Sequence, residues 1–403
     1  MKTRAWSAAF ILATGFVLLL YNGGSRFIMG LMLKPMVDDL NWSRATLSLT
    51  VTVFMVVSAV VLPFIGRLVD RYSIRVVLLA SILLSSASIA LMSMIQTPLQ
   101  AVVLYGVLFG LATAGTSAAP IGVMISRWFP ERLGMANSIA ISGLGVGQLA
   151  IILLLTSQLE VIGWRGAFLA LAGLGLILIL PLTLLKIPQA TPQGTGDREE
   201  PSTSTGPGPT VSASLREPRL WWLIVIYGIC GFQDFFIATH VVAYARDQGV
   251  GTILSGNLFA LMGLVGLAGV FVAGFASDRV GPILPTLVCF VLRIVVFGVV
   301  MVTGSVFAIV GFALVYGFTF WITAPLTIVF VRQYFGTAHL GTLTGIIVMV
   351  HHAAGGLGAY TGGAAYDALG SYQVVFQLML ILSVAALFIP WLMAKARHST
   401  TGV

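Results

Sequence analysis

The chain alternates long apolar runs with short polar breaks over its 403 residues. A run of about 20 apolar residues is enough to cross a bilayer as a helix. Twelve spans are predicted on this pattern, at approximately 6–32, 46–66, 74–95, 98–126, 136–159, 164–186, 220–245, 252–276, 283–304, 306–332, 340–364 and 371–394. Between the sixth and seventh, residues 188–218 are rich in Pro, Gly, Ser and Thr and carry Asp197, Arg198, Glu199 and Glu200. Such a stretch buries too little apolar surface to order itself and reads as a flexible linker. The expected architecture is therefore an all-α membrane protein: six spans in residues 1–187, a linker over 188–218, and six spans in 219–403.

Composition closes off the alternatives. Hydrophobic residues make up 58% of the chain and charged residues 8%, against about 25% charged in a soluble domain. The net charge of +8 is explained by where the basic residues fall. Fifteen of the 21 Lys and Arg lie on the side of the N-terminus, four (Lys34, Arg44, Arg165 and Arg246) on the other, and Arg26 and Arg293 within spans. By the positive-inside rule both termini are expected in the cytoplasm of a cell membrane, with lipid and not nucleic acid as the partner. The start of the chain, with Lys2 and Arg4, mimics a signal peptide. Its apolar run outlasts an h-region and no A-x-A site follows, so it is read as an uncleaved first span. Cys230 and Cys289 both sit in apolar runs and read as packing residues. No H-E-x-x-H, nucleophile elbow or phosphate loop is present, so neither enzyme chemistry nor a cofactor or metal is expected.

The two halves repeat one another. Gly23-Gly24-Ser25-Arg26-Phe27 in the first span has a counterpart 208 residues later, Gly231-Phe232-Gln233-Asp234-Phe235, with opposite charge at the matched position. Gly66-Arg67-Leu68-Val69-Asp70-Arg71 is matched by Gly274-Phe275-Ala276-Ser277-Asp278-Arg279 at the same offset. Ser126-Arg127-Trp128-Phe129 is echoed by Val331-Arg332-Gln333-Tyr334, 205 residues on. Tandem halves related by an axis along the membrane normal are one way secondary transporters are built, with the site at midplane between them.

These residues carry a family resemblance. The stretch Gly66…Asp70-Arg71-Tyr72-Ser73-Ile74-Arg75 resembles the loop signature of the major facilitator superfamily. Asn41-Trp42-Ser43-Arg44 and Arg127-Trp128-Phe129-Pro130-Glu131-Arg132-Leu133-Gly134 are similar to the monocarboxylate porter and oxalate/formate antiporter branches. The resemblance implies two pseudo-symmetric six-helix bundles working as a monomer by alternating access on a small organic anion. It further implies that Gly66, Asp70, Arg71, Arg75, Asp278 and Arg279 gate the inner side. It leaves spans 3, 6, 9 and 12 outside the cavity, so that Arg293 in span 9 is assigned a structural role.

Charge inside a membrane marks candidate sites, because it is costly there unless paired or facing a cavity. Arg26 is expected to hold a carboxylate substrate, or to pair with Asp234 when the site is empty; the alternative is a permanent ion pair or an outward-snorkelling side chain. Neighbouring Asn22, Gly23 and Gly24 weaken the helix there and suit a substrate site on broken backbone. Asp234 is the candidate for proton coupling, or else half of a fixed pair. Along span 7, Tyr227, Gly231 and Asp234 share one face and Gln233, Phe236, His240 and Tyr244 another. His351 and His352 in span 11, Gln233, and Tyr316, Phe320 and Trp321 in span 10 complete the expected substrate contacts. The expectation is a proton-coupled transporter of a small organic anion, which the resemblance implies is a monocarboxylate. The alternative is an exporter of amphipathic drugs or metabolites that treats the charges as structural.

Overall fold

The computed structural model describes residues 2–126, 128–129, 133–178, 210–336 and 340–398, and among them every regular element is helical. The first span is two helices, α1 (Lys2–Ser25) and α2 (Ile28–Leu40), interrupted at Arg26 and Phe27. Asn22, Gly23 and Gly24 anticipated a weak point, and helix resumes past it to Leu40, beyond the expected end of the span near residue 32. Helix α3 (Arg44–Arg71) starts at Ser43, whose side chain accepts from the Thr46 N–H and so satisfies one of the donors a helix start leaves free. After α4 (Ile74–Met92), the fourth span is segmented. A capping box at Thr97 and Gln100 opens α5 (Pro98–Ala101), π-helical turns follow over Val102–Phe109, and α6 (Gly110–Gly115) and α7 (Ala118–Ser126) finish it.

Spans five and six run together as α8 (Leu133–Ile177), broken inside at Gly163, whose φ of 64° a side chain would resist. The short α9 (Val211–Ser214) precedes the second half: α10 (Pro218–Asp247), α11 (Thr252–Val280), α12 (Ile283–Val302), α13 (Val306–Phe320), α14 (Thr323–Phe335), α15 (Leu340–Leu369) and α16 (Gln373–His398). Among the described residues, ten helical stretches are long and apolar enough to cross a membrane, and 373–389 is a shorter apolar helix. The run counted once at 139–177 contains two of the twelve spans expected from sequence. Most of the linker, 188–209, lies outside the described residues, as do residues 399–403.

Packing follows the repeat. Helix α3 lies along α15, and α8 along α11; α1 packs on α8 and α10 on α15. In the numbering of spans the two joints between the halves are 2 with 11 and 5 with 8, and exchanging the halves turns one joint into the other. The second joint is intimate: the Gln148 amide donates to the Phe259 carbonyl at 3.1 Å. Large apolar side chains point away from the helices, Phe307 at 91% exposure and Phe271 at 68%. In water they would be a liability; in lipid they are solvated, while the helices satisfy their own backbone groups.

On the side bearing Arg44, the halves are tied by polar contacts. Asp367 of α15 accepts from the backbone N–H groups of Arg44 and Ala45 at 2.9 and 2.8 Å, capping the start of α3. The Arg44 guanidinium pairs with Asp247 at 2.6 Å and donates to the Tyr372 hydroxyl at 2.6 Å, lying over the Tyr366 ring. Lys34 reaches Asp247 at 3.6 Å. His240 is fully buried beneath, between Tyr372 (3.0 Å), the Ala359 carbonyl (2.8 Å) and Ser48 (3.4 Å).

Candidate functional site

The break between α1 and α2 frees backbone groups that a continuous helix would pair, and they are used. Tyr105, on the π-helical turns, donates its hydroxyl to the Arg26 carbonyl at 2.9 Å. Asn22 donates through Nδ2 to the Thr113 carbonyl and to the Thr116 hydroxyl, both at 3.0 Å. The loosened turn projects Arg26 into a cavity of about 290 Å³ between the halves. Its guanidinium lies beside the rings of Phe27 (5.2 Å) and Phe235 (5.6 Å), and its Nε has no hydrogen-bond partner. Among the described residues no carboxylate stands within ion-pair distance of it.

Asp234 also lines this cavity, held from behind. Arg293 of α12 donates from Nη2 to Asp234 Oδ1 at 2.8 Å, and the Tyr316 hydroxyl donates to the same oxygen at 2.8 Å. Asp234 Oδ2 has no hydrogen-bond partner among the described residues. Arg293 is fully buried and makes three further bonds: Nη1 to Gln233 Oε1 (2.9 Å), Nε to the Thr319 hydroxyl (3.2 Å) and Nη2 to the Thr319 carbonyl (3.2 Å). A buried ion pair is tolerable when most of its remaining donors and lone pairs are met; here Arg293 bonds through Nε, Nη1 and Nη2 and Asp234 through Oδ1, while Oδ2 is left on the side of the cavity that Asp234 lines. The partner of Asp234 is thus Arg293 and not Arg26, and Arg293, on α12, bonds side chains of α10 and α13 as well as a carbonyl.

The remaining sequence candidates divide into two groups. Phe320, Trp321, His351 and His352 line the cavity with Arg26 and Asp234. Trp321 and Ile322 interrupt span ten between α13 and α14, so both halves present a helix break to the cavity. The two histidines each place Nδ1 near a backbone carbonyl, His351 at 3.1 Å from that of Tyr227 and His352 at 2.9 Å from that of Val348. A carbonyl can only accept, so Nδ1 carries the hydrogen and Nε2 is the nitrogen left for other partners. Gln233, Tyr316 and Asn22 are placed otherwise. Gln233 is fully buried and donates to the Met379 carbonyl (2.9 Å) and Ser383 (2.8 Å) of α16, so it buttresses Arg293. Tyr316 is fully buried behind Asp234. Asn22 lines a small annex of about 50 Å³ with Phe54, Ser58, Leu62, Thr113 and Ser117, and the annex shares Arg26 and His352 with the main cavity.

Of the expected inner gate, the side chains of Gly66, Asp70 and Arg71 lie outside the described residues. Arg75 is half-buried and has a partner; Asp278 and Arg279 are exposed, with Arg279 stacked on Phe275 at 3.8 Å. The tie of Arg44 to Asp247, Asp367 and Tyr372 was not singled out from sequence. The signal available was Arg44 as one of only four basic residues on its side, directly preceding a span.

Comparison with known proteins matches the chain to the model of the major facilitator superfamily over residues 15–359. The chain is 24% identical to the MFS-type transporter YcxA of Bacillus subtilis (strain 168), with 99% of each chain covered. It is 27% identical to monocarboxylate transporter 4 of Rattus norvegicus, over 78% of this chain and 68% of that one. Among solved structures, that of the nucleoside transporter NupG superposes with a TM-score of 0.78 at 15% identity, covering 96% of this chain and 99% of the other. At that identity the likeness concerns the fold.

Proposed function

The chain belongs to the major facilitator superfamily and is a membrane transporter, and from that premise we propose that it carries a small organic anion, a monocarboxylate, by alternating access and in symport with protons. The observation that carries this reading is Arg26: a half-buried arginine lining a largely apolar cavity, with aromatic faces beside it and, among the described residues, no carboxylate within ion-pair distance. Arginine keeps its charge, so such a site favours an anion arriving from outside the protein. Monocarboxylate transporter 4 supports the same class among the relatives.

Proton coupling is assigned to Asp234, whose Oδ2 is uncommitted while Oδ1 is held by Arg293 and Tyr316. Protonating Asp234 would weaken its pull on Arg293, and an anion on Arg26 across the same cavity would favour that protonation. Closure on one side uses the Arg44–Asp247–Asp367 tie; the inner gate remains assigned to the Gly66–Arg75 and Asp278–Arg279 stretches. The bias of basic residues supports both termini in the cytoplasm. The aromatic wall formed by Phe27, Phe235, Phe320 and Trp321 favours a second reading, export of amphipathic compounds.

Reconstitution into proteoliposomes with labelled monocarboxylates separates the two. Symport predicts accumulation driven by an imposed inward proton gradient and absent in Arg26→Gln, with Arg26→Lys intermediate. Gradient-driven efflux of neutral amphipathic compounds, unaffected by Arg26→Gln, would replace this reading with the exporter.

A further inference from the structure

Resting on the anion reading above, we infer that the transported monocarboxylate carries an aromatic ring or a comparably flat apolar body. The cavity is built in two parts. Its main chamber is walled by Phe27, Phe235, Phe320, Trp321, Ile328 and Val348, and the adjoining annex is small and of mixed character, with Phe54 and Leu62 beside Ser58 and Thr113. Arg26 and His352 stand at the junction, lining both. A carboxylate on Arg26 therefore sits where a chamber of about 290 Å³ meets an annex of about 50 Å³, and the rest of the molecule is left with the larger chamber and its rings.

The rings form a connected set. Phe27 meets Phe320 at 6.0 Å and Trp321 at 6.1 Å, both edge-on, and Phe320 meets Trp321 at 5.1 Å. On the opposite wall Phe235 lies 5.9 Å from His351 and 6.0 Å from His352. Faces and edges of this kind complement another ring better than they do a small hydrophilic acid. Size agrees. A cavity of about 290 Å³ holds the equivalent of about ten waters at roughly 30 Å³ each, and lies near the lower bound for sites that bury a drug-like ligand, roughly 300 Å³. A three-carbon acid would leave most of the apolar wall without contacts, forfeiting the dispersion that a filled chamber gains. One ring with a short carboxylate arm fills it.

The test uses the purified full-length chain in detergent, reading the ligand-induced rise in unfolding temperature, which tracks ligand concentration over Kd. Phenylacetate and indole-3-acetate are expected to stabilise the chain at concentrations at least about tenfold lower than lactate or acetate, the worth of burying a ring. Benzyl alcohol, which keeps the ring and loses the charge, should not stabilise it. In Phe235→Leu, or in Phe320→Leu if the first is poorly folded, the concentration ratio of lactate to phenylacetate should fall about three- to tenfold. The ratio reads preference whatever happens to absolute stability. Lactate acting at equal or lower concentration than phenylacetate would overturn this inference and leave the anion reading intact. Failure of every carboxylate to stabilise the chain in an Arg26-dependent way would remove the anion reading and this one with it.

Discussion

Arg293 bonds to Asp234, Gln233 and Thr319 and lies over the Tyr316 ring at 4.8 Å, and all five residues are buried. Removing one partner of such a pair leaves a buried charge alone, at a cost of about 3–5 kcal/mol. Arg293→Gln is thus expected to lower the unfolding midpoint sharply, and Arg293→Gln combined with Asp234→Asn to recover most of the loss, as a double-variant cycle in detergent would show. If Asp234 also carries the coupling proton, the double variant will fold and exchange substrate between equal pools yet fail to concentrate it. Uphill accumulation by that variant would take Asp234 out of the mechanism. The three charges within spans were legible in the sequence because a charge in an apolar run stands out. Their partners were not. Matched positions in two repeats fix where Arg26 and Asp234 lie along their helices, not which neighbour each side chain meets. The face pattern of α10 did separate Gln233 from Asp234, and the structure keeps them apart: Asp234 to the cavity, Gln233 to α16.

Between elements, the closest approaches run through glycine. Helix α10 crosses α15 with Gly231 against the His351 backbone and Gly358 against that of Phe232, so that a methyl at either would overlap a carbonyl oxygen. Gly231→Ala is expected to push α15 outward, destabilise the chain by about 1–3 kcal/mol as overpacking does, and weaken anion binding because His351 and His352 move with α15. Thermal unfolding and ligand titration of the same preparation check both; a stable variant that binds normally would show that the crossing is looser than the contact implies. Helix positions were readable from apolar run length alone. The break at Arg26–Phe27 was half-readable, from Asn22, Gly23 and Gly24. The π-helical turns over Val102–Phe109 carried no such mark, since Val-Val-Leu-Tyr-Gly-Val-Leu-Phe fits an ordinary span equally well and only the neighbours select the wider winding.

For the whole molecule, the internal repeat was the most informative feature of the sequence, and the two exchanged joints, α3 with α15 and α8 with α11, realise it in packing. The tie at Arg44 lay beyond reach because it depends on long-range neighbours, Asp247 and Asp367, with nothing local to announce them. It lends itself to a direct test. Ser48 is fully buried under the tie and the two native cysteines are buried, so Ser48→Cys should react slowly with a thiol reagent. Adding Asp247→Asn and Asp367→Asn should speed labelling about tenfold, the effect of roughly 1.4 kcal/mol on the closed state; unchanged labelling would mean that apolar contacts alone hold that side shut.

The two interruptions, at Arg26–Phe27 and at Trp321–Ile322, each set a 13-residue helix, α2 or α14, apart from the rest of its span. A lever jointed at its load behaves differently from a stiff rod. On the function proposed above, each short arm would swing about the residues assigned to the cargo, so occupancy would be felt at the joint before either bundle had turned, and a mouth could close without dragging its whole half of the protein along.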